Sequence, residues 1–585
     1  MLKSILIKNS SLLFCCLVLS PCLFSQTFDR GYYNDFDFGP HIVYGNFQLR
    51  NPRKRTYFEI KKANDSTCVV YKINPSGIKL FTYVITFNHG ELSRVEKFNQ
   101  WGAIVDSRKY EKISTDLYKL TDIENGVNAF LPGKYGIERY QNELLRETSF
   151  YTASGRLIEN DRGYAIIKFD PYEDKVRAGE KKSRAYFNAK NQPVISTETG
   201  FHSANYEFDL SDNKLKESYY GISGEPVGAD NDNAFQERFT YDQDNNCIKT
   251  EFLDKEGNLT QISTGIATIS IDFKNGYAEK ITRYNVLNKI ARTSNVGDGI
   301  SIIKSEFDPN GNKTRDACYD EFEKPMRDFR GVFTTTYEYS PENKMVAISY
   351  FDPMNKPIAN REKIHRYQMI RDSLGRLIQE TFFDSAQMPV KNYNDEVYMI
   401  KYKSNVLGSV ISESYWKDSL TPMPRWNGVY EIRTQYNEDG QPIEFSYIDQ
   451  NGQLQKTADG YSVCKLMRDE NGLVYARQYL YNNELINITR GASNGYSVIR
   501  YDRDSAGRTN QILFYGNEHE AIDATIDIEN PIQAHRILFI YQSSRLVEEW
   551  YYSIKDDLVP FLKLDCIKND YLEPNGINIG QKDAN

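Results

Sequence analysis

The sequence predicts an all-β fold: an elongated array of antiparallel β-hairpin repeats of about 33 residues, making an open twisted or coiled sheet. Three observations carry this. Unit starts recur at a fixed step, residues within units alternate with period two, and aromatic usage is heavy, with 43 Tyr and 31 Phe among 585 residues. Aromatic side chains favour half-buried pleated surfaces, and a chain this long exceeds what one compact core usually holds.

The period comes first. A glycine or a polar substitute opens each unit, at Gly163, Gly200, Asp232, Gly265, Gly299, Gly331, Lys363, Asp395, Gly428, Gly460 and Gly495. From Gly200 to Gly460 the steps are 32 to 34 residues. The first step is longer because a charged stretch, Glu173–Arg184, reads as an insert.

The unit Gly428–Asp449 shows the contents best. Ile432, Thr434 and Tyr436 alternate with Arg433 and Gln435, the pattern of a strand with one face buried. Asn437–Gly440 is a turn whose glycine can take positive φ. Ile443, Phe445 and Tyr447 then share one face of a second strand, and Asp449–Gly452 is the next turn. Aspartate at a strand end can hydrogen-bond the turn backbone that follows. One hairpin cannot bury its apolar face alone, so successive hairpins pair edge to edge and the sheet grows unit by unit.

Four segments follow from this reading. Residues 1–25 are a signal peptide, with Lys3 and Lys8 before the apolar run Leu12–Leu23 and the small residue Ser25 before Gln26. The alternative is a lipoprotein through Cys22. Residues 26–125 are a β-rich N-terminal region or degenerate repeats, with strands expected at Tyr57–Ile60, Cys68–Ile73 and Phe81–Phe87. Residues 126–565 are the array, and 566–585 a polar tail. The expected location is therefore periplasm, cell surface or medium, with no transmembrane span in the mature chain. A net charge of −8 spread along the sequence leaves no basic footprint for nucleic acid. Cys68, Cys247, Cys318, Cys464 and Cys566 are too scattered for a disulfide framework.

Catalytic and metal patterns were sought without yield. His41, His89, His202, His365, His519 and His535 form no pair at ligand spacing. Asp242, Asp244 and Asn246 resemble the start of a calcium loop but lack its glycine and its closing glutamate, and Asp502 with Asp504 fails at Ala506. Gly179–Ser183 lacks the spaced glycine of a phosphate loop. No catalytic residue, cofactor or metal site is assigned. The candidate contact for a ligand or partner is the connector Trp416–Trp426, which sets two of the four tryptophans around Pro422, Met423 and Pro424. The alternative for Trp416 and Trp426 is packing on the sheet.

The units run G-Y-x-x-x-x-Y-D-x-x-G and then x-Y-x-D-x-x-G-x-P-V, as in Gly163–Asp170, Gly495–Gly507 and Ile222–Val227. This resembles the tandem hairpin repeats of exported bacterial proteins with YD-x-x-G turns. More distantly it is similar to the tyrosine–aspartate repeats of Rhs-type toxin shells and to MORN-type arrays. The resemblance implies a β-repeat architecture over roughly residues 126–555 and says little about activity. Rhs units are shorter, and their toxin domain has no counterpart at this C-terminus, which weighs against an encapsulating shell.

The expected function is a non-enzymatic repeat protein offering an extended binding surface to a protein, glycan or envelope component. The alternatives are a structural spacer of the cell envelope, or an enzyme with a site in residues 26–125 or Gly516–Pro531. A binding role predicts one face rich in exposed aromatic residues, and a spacer predicts two plain, identical faces.

Overall fold

The computed structural model describes residues 31–33 and 55–559, apart from 125–126, 129–134, 174–179, 230–233, 293–298, 470–471, 489–494, 504–508, 526–531, 543–544 and positions 65, 143, 153, 161, 212, 426 and 439. The signal segment 1–25, Cys22, Gln26, Trp426, Asp504 and the tail from Cys566 lie outside the described residues.

The expected class holds. One sheet of 35 strands runs through the described residues, all pairings antiparallel and nearly all between neighbours in sequence; the two-residue strands Val127–Asn128 and Glu484–Leu485 are bypassed, and Ala524–Thr525 pairs with Gln533–Ala534 apart from the sheet. Its terminal strands, Gly31–Tyr33 and Arg545–Tyr552, do not pair with each other, so the sheet is not a closed barrel. The strands Tyr57–Asn64, Thr67–Ile73 and Lys79–Asn88 belong to the same sheet.

In the best-read unit the hairpin is Glu431–Tyr436 with Pro442–Ile448, and Ile432 faces Tyr447 while Thr434 faces Phe445. These four are buried, whereas Arg433 and Gln435 on the other face are exposed. Period-two patterning has thus produced an apolar face and a polar face. The connector to the next unit makes two turns. Asp449 opens the first: its amide donates to the Gln453 carbonyl (2.8 Å), and its carboxylate accepts from the amides of Asn451 and Gln453 (2.8 Å each). The fourth residue, Gly452, sits at φ +83°, a region open to glycine at little cost. The same bonds recur at Asp254, Asp308, Asp352, Asp372 and Asp384, and with asparagine at Asn99, Asn285 and Asn405; at Asn74 the Ser76 amide donates to the Tyr277 hydroxyl instead. This is why an acid or amide and a glycine recur three residues apart.

The second connector turn carries the unit-opening residue in the left-handed slot, as at Gly331 (φ +84°) and Lys363 (φ +65°). In the unit assigned to Asp395 the slot falls on Glu396, because the turn Asn392–Val397, like Ser196–Phe201, is one residue longer than turns such as Asn360–Ile364. The stretch Glu173–Arg184 is also corrected. Lys181–Phe187 is the second strand of its hairpin, with Arg184 opposite Phe169. Its charges alternate with Ala185 and Phe187, and the Arg184 guanidinium lies over the rings of Tyr186, Phe201 and Tyr206 at 5.5–5.7 Å.

The apolar face carries rings from hairpin and connector in alternation. Tyr447, Tyr461, Tyr479, Tyr496 and Phe514 follow one another with centroids 4.9–6.0 Å apart, and Tyr164, Tyr186, Phe201 and Tyr219 do the same at 4.6–6.0 Å. The row breaks where Arg283 and Cys318 stand in place of the aromatic. The core through Phe252 and Ile266 is separate from the core that begins at Val332.

The sheet winds back on itself. One of its long margins is lined by the tight hairpin turns, which are cross-linked from unit to unit: Asn213 to Asn245, Asn312 to Asn343, Lys344 to the Asp372 carbonyl and Arg376 to the Asn405 carbonyl, all at 2.7–2.9 Å. Turns from the N-terminal strands dock on this row. Arg55 donates to the Asn245 carbonyl (3.3 Å), Asn74 to Asn310 (2.8 Å), Trp101 to Glu342 (2.8 Å) and Asn99 to Leu374 (3.1 Å), while Tyr277 bonds Ser76 (2.9 Å). The docked turns span Asn245 to Leu374, so they bridge the break at Arg283 and Cys318.

Candidate functional site

The connector that begins at Trp416 is anchored inward at two points. Met423 packs on the core, and Arg425 dips beneath the connector to pair with Asp395 (2.8 Å) and to stand over the Tyr415 ring (5.3 Å). Tyr415 is fully buried and donates to Glu413 (2.7 Å). Burial pushes the Glu413 carboxyl up, against the pull of the Tyr415 hydroxyl. Tyrosine–carboxylate pairs of this kind recur along the apolar face. Tyr219 donates to Glu237 (2.8 Å) and Tyr337 to Asp316 (3.1 Å), and burial raises the Glu237 carboxyl too. A buried hydroxyl needs an acceptor, and at Tyr219, Tyr337 and Tyr415 a carboxylate of the same face supplies it.

Trp416 points to the opposite, polar face. It is half-buried at the end of the strand Val410–Trp416, its Nε1 donates to Ser414 Oγ (2.9 Å), and the Lys401 ammonium stands 3.7 Å from its ring centroid. The structure brings Trp416 together with Lys401 and Pro422. Trp426 lies outside the described residues.

Among the described histidines, His89 and His519 sit in turns. His202, His365 and His535 occupy equivalent positions. Each ring meets an aromatic edge-on (Phe187, Phe351, Tyr515, at 5.3–5.5 Å), and each Nδ1 lies 2.9–3.1 Å from a carbonyl. The carboxylate of Asp242 is taken up by its own turn, accepting from the amides of Asp244 and Asn246 and from the Asn246 side chain. Among the described residues no cluster of three His, Cys, Asp or Glu side chains could hold a metal. Cys68 is buried, which pushes its thiol up to about 12.

The feature that sequence reasoning missed lies along the connector margin, opposite the tight turns. Leu287, Phe322, Phe329, Met354, Met388, Tyr393 and Leu420 are 59–85% exposed, and they come from five consecutive units. Leu287, Phe322 and Met354 all hold the third position of the first connector turn. Sibling turns place Glu256 or Asn451 there, so the signal was present: an apolar residue where the motif tolerates anything polar. Contiguous exposed apolar side chains of this extent mark interaction surfaces.

No protein family and no curated protein matches the chain. Among solved structures it is similar to the crystal structure of TcdB2-TccC3, at 10% identity and a TM-score of 0.26, covering 84% of this chain and 26% of that one. It is also similar to the Photorhabdus luminescens Tc holotoxin pore, at 11% identity and a TM-score of 0.24, covering 88% and 30%. A porin-like protein from Bacteroides uniformis follows at 12% identity and a TM-score of 0.12, covering 57% and 95%. The chain spans less than a third of the length of the two Tc structures it matches. The architecture above rests on this chain's own pairings.

Proposed function

We propose that this chain is an exported, non-enzymatic repeat scaffold whose connector margin binds a partner, either another protein or an envelope component such as a glycan. One observation supports the reading above others: seven apolar side chains at 59–85% exposure lie on one margin over five consecutive units, from Leu287 to Leu420, whereas Leu210 and Val406 stand singly in the hairpin turns of the other margin. A plain spacer gives no reason for that gathering. The order of basic, apolar and small residues before Gln26 supports export. Glu237 and Glu413 each accept from a ring hydroxyl of the same face, which supports a core role for them rather than proton transfer.

The test is capture from envelope fractions with the chain from Gln26 onward, beside Phe322→Glu and Leu420→Glu. Both variants are expected to keep the β-sheet circular dichroism and to lose the captured partner. Capture unchanged in both variants would remove the connector margin as the binding surface. A Met1 retained on the native protein would remove export.

A further inference from the structure

We propose that the occupant of the connector margin is a second copy of this chain, docked margin to margin in antiparallel register. The inference rests on the reading of that margin as a binding surface.

The molecule already shows how its turns dock on one another. In the turn Asp372–Arg376 the fourth residue is Gly375, at φ +81°, and the space a Cβ would fill holds the indole of Trp101. Trp101 is itself the third residue of the turn Asn99–Ala103. Gly311, the fourth residue of Asp308–Asn312, is filled in the same way by the Tyr277 hydroxyl. A fourth-position glycine thus acts as a socket, and a third-position side chain can act as its plug.

The connector margin carries both parts, unmated. Gly224 and Gly257 hold the fourth position at φ +82° and +86°, with nothing within 4 Å of either Cβ direction. Leu287, Phe322 and Met354 hold the third position of the next three connectors and stand in solvent. Sockets and plugs lie along one row of one sheet, so they cannot meet within a chain. Across a two-fold axis at the Leu287 unit they match: Gly257 of one copy faces Phe322 of the other, Gly224 faces Met354, and Leu287 meets its own counterpart. Charge fits this register: Lys255 comes opposite Glu321 and Glu323, which pair within their own chain with Arg292 and with Lys280 and Lys304, and Glu225 comes opposite Lys356. Five units at roughly 9.6 Å each give a margin about 48 Å long. At about 15 Å deep it covers on the order of 700 Å2 per copy, near the ~800 Å2 per partner of a stable pair.

Sedimentation velocity on the chain from Gln26, from low to high micromolar, tests this with two variants. Phe322→Glu charges a plug. Gly257→Asn fills a socket but keeps the turn, because asparagine holds the same slot at Asn288 and Asn355. The expected result is a dimer, weakened about tenfold or more by either change. A mixture of the two variants should associate more tightly than either alone, because one of its two Gly257–Phe322 contacts is intact. A chain monomeric throughout, or a dimer indifferent to both variants, overturns the proposal. If the monomer still captures an envelope component that Phe322→Glu loses, the binding margin stands with a different occupant. If it captures none, both readings fall.

Discussion

The indole of Trp101 occupies the space that any Cβ on Gly375 would need, and its Nε1 donates 2.8 Å to the Glu342 carbonyl. One side chain thereby fastens the N-terminal turns to two units of the array. Gly375→Ala should expel the ring and strain a backbone at φ +81°, at a cost of about 1–3 kcal/mol. Hydrogen exchange is expected to quicken around Asn99–Ala103 and Asp372–Arg376 while Val463–Arg468 stays protected. Unchanged protection at both turns would show that the docking is not held there.

The break in the aromatic row gives a second expectation. Arg283 donates to the Ile300 carbonyl (3.1 Å) where sibling units place a ring, and the two flanking cores do not join. In a repeat array stability is largely nearest-neighbour, so opening should start here. Amides of Tyr277–Tyr284 and Ile302–Phe307 are expected to exchange before those of Pro442–Ile448. Because the docked turns bridge this break, Trp101→Ala should speed exchange at both of the first two strands although it touches neither.

The turns carry a pH expectation. Hydrogen bonds from the turn backbone hold the carboxyls of Asp254 and Asp449 below the usual range. A carboxyl whose folded pKa lies below its unfolded value stabilises above the unfolded value and loses that contribution as pH falls through the folded one. The loss therefore falls below about pH 4. Asparagine makes the same turn at Asn285 and Asn405. Asp254→Asn with Asp449→Asn should keep the fold and flatten the dependence of stability on pH below that point. An acid-unfolding slope equal to that of the unaltered chain would contradict this.

The hairpins and turns were legible in the sequence because each is set by residues close together: alternation fixes the faces, and Asp449 with Gly452 fixes a turn. Gly452→Val should cost about 1–3 kcal/mol at φ +83°, and Gly452→Asn much less. The winding was not legible. Asn74 and Trp101 meet carbonyls more than 200 residues away, and neither residue type nor spacing announces a docking partner. The exposed apolar margin was partly legible, since Phe322 and Met354 stand out within their turn motif. Attention went to Trp416 because tryptophan is rare, yet its ring is half covered by Lys401 on the polar face.

Trp416 and Leu420 therefore separate two roles within one connector. The Trp416 ring packs against Lys401 and bonds Ser414, so Trp416→Ala removes local packing and is expected to cost about 1–2 kcal/mol. Leu420 is 85% exposed, so Leu420→Ala should leave stability within about 0.5 kcal/mol. Binding should divide the other way. If the connector margin meets an envelope partner as far as Leu420, Leu420→Ala weakens that association while the fold is intact, because only side chains that stand in solvent lose water on docking; the pairing of two copies, which ends at the Met354 connector, is expected to be unaffected. Trp416→Ala should weaken association only as far as it loosens the connector, and lower temperature should restore that part. Urea unfolding and association measured on the same two variants check both halves. If Trp416→Ala abolishes association at unchanged stability and Leu420→Ala does nothing, the partner sits on the polar face beside Lys401, and the connector margin is not where it binds.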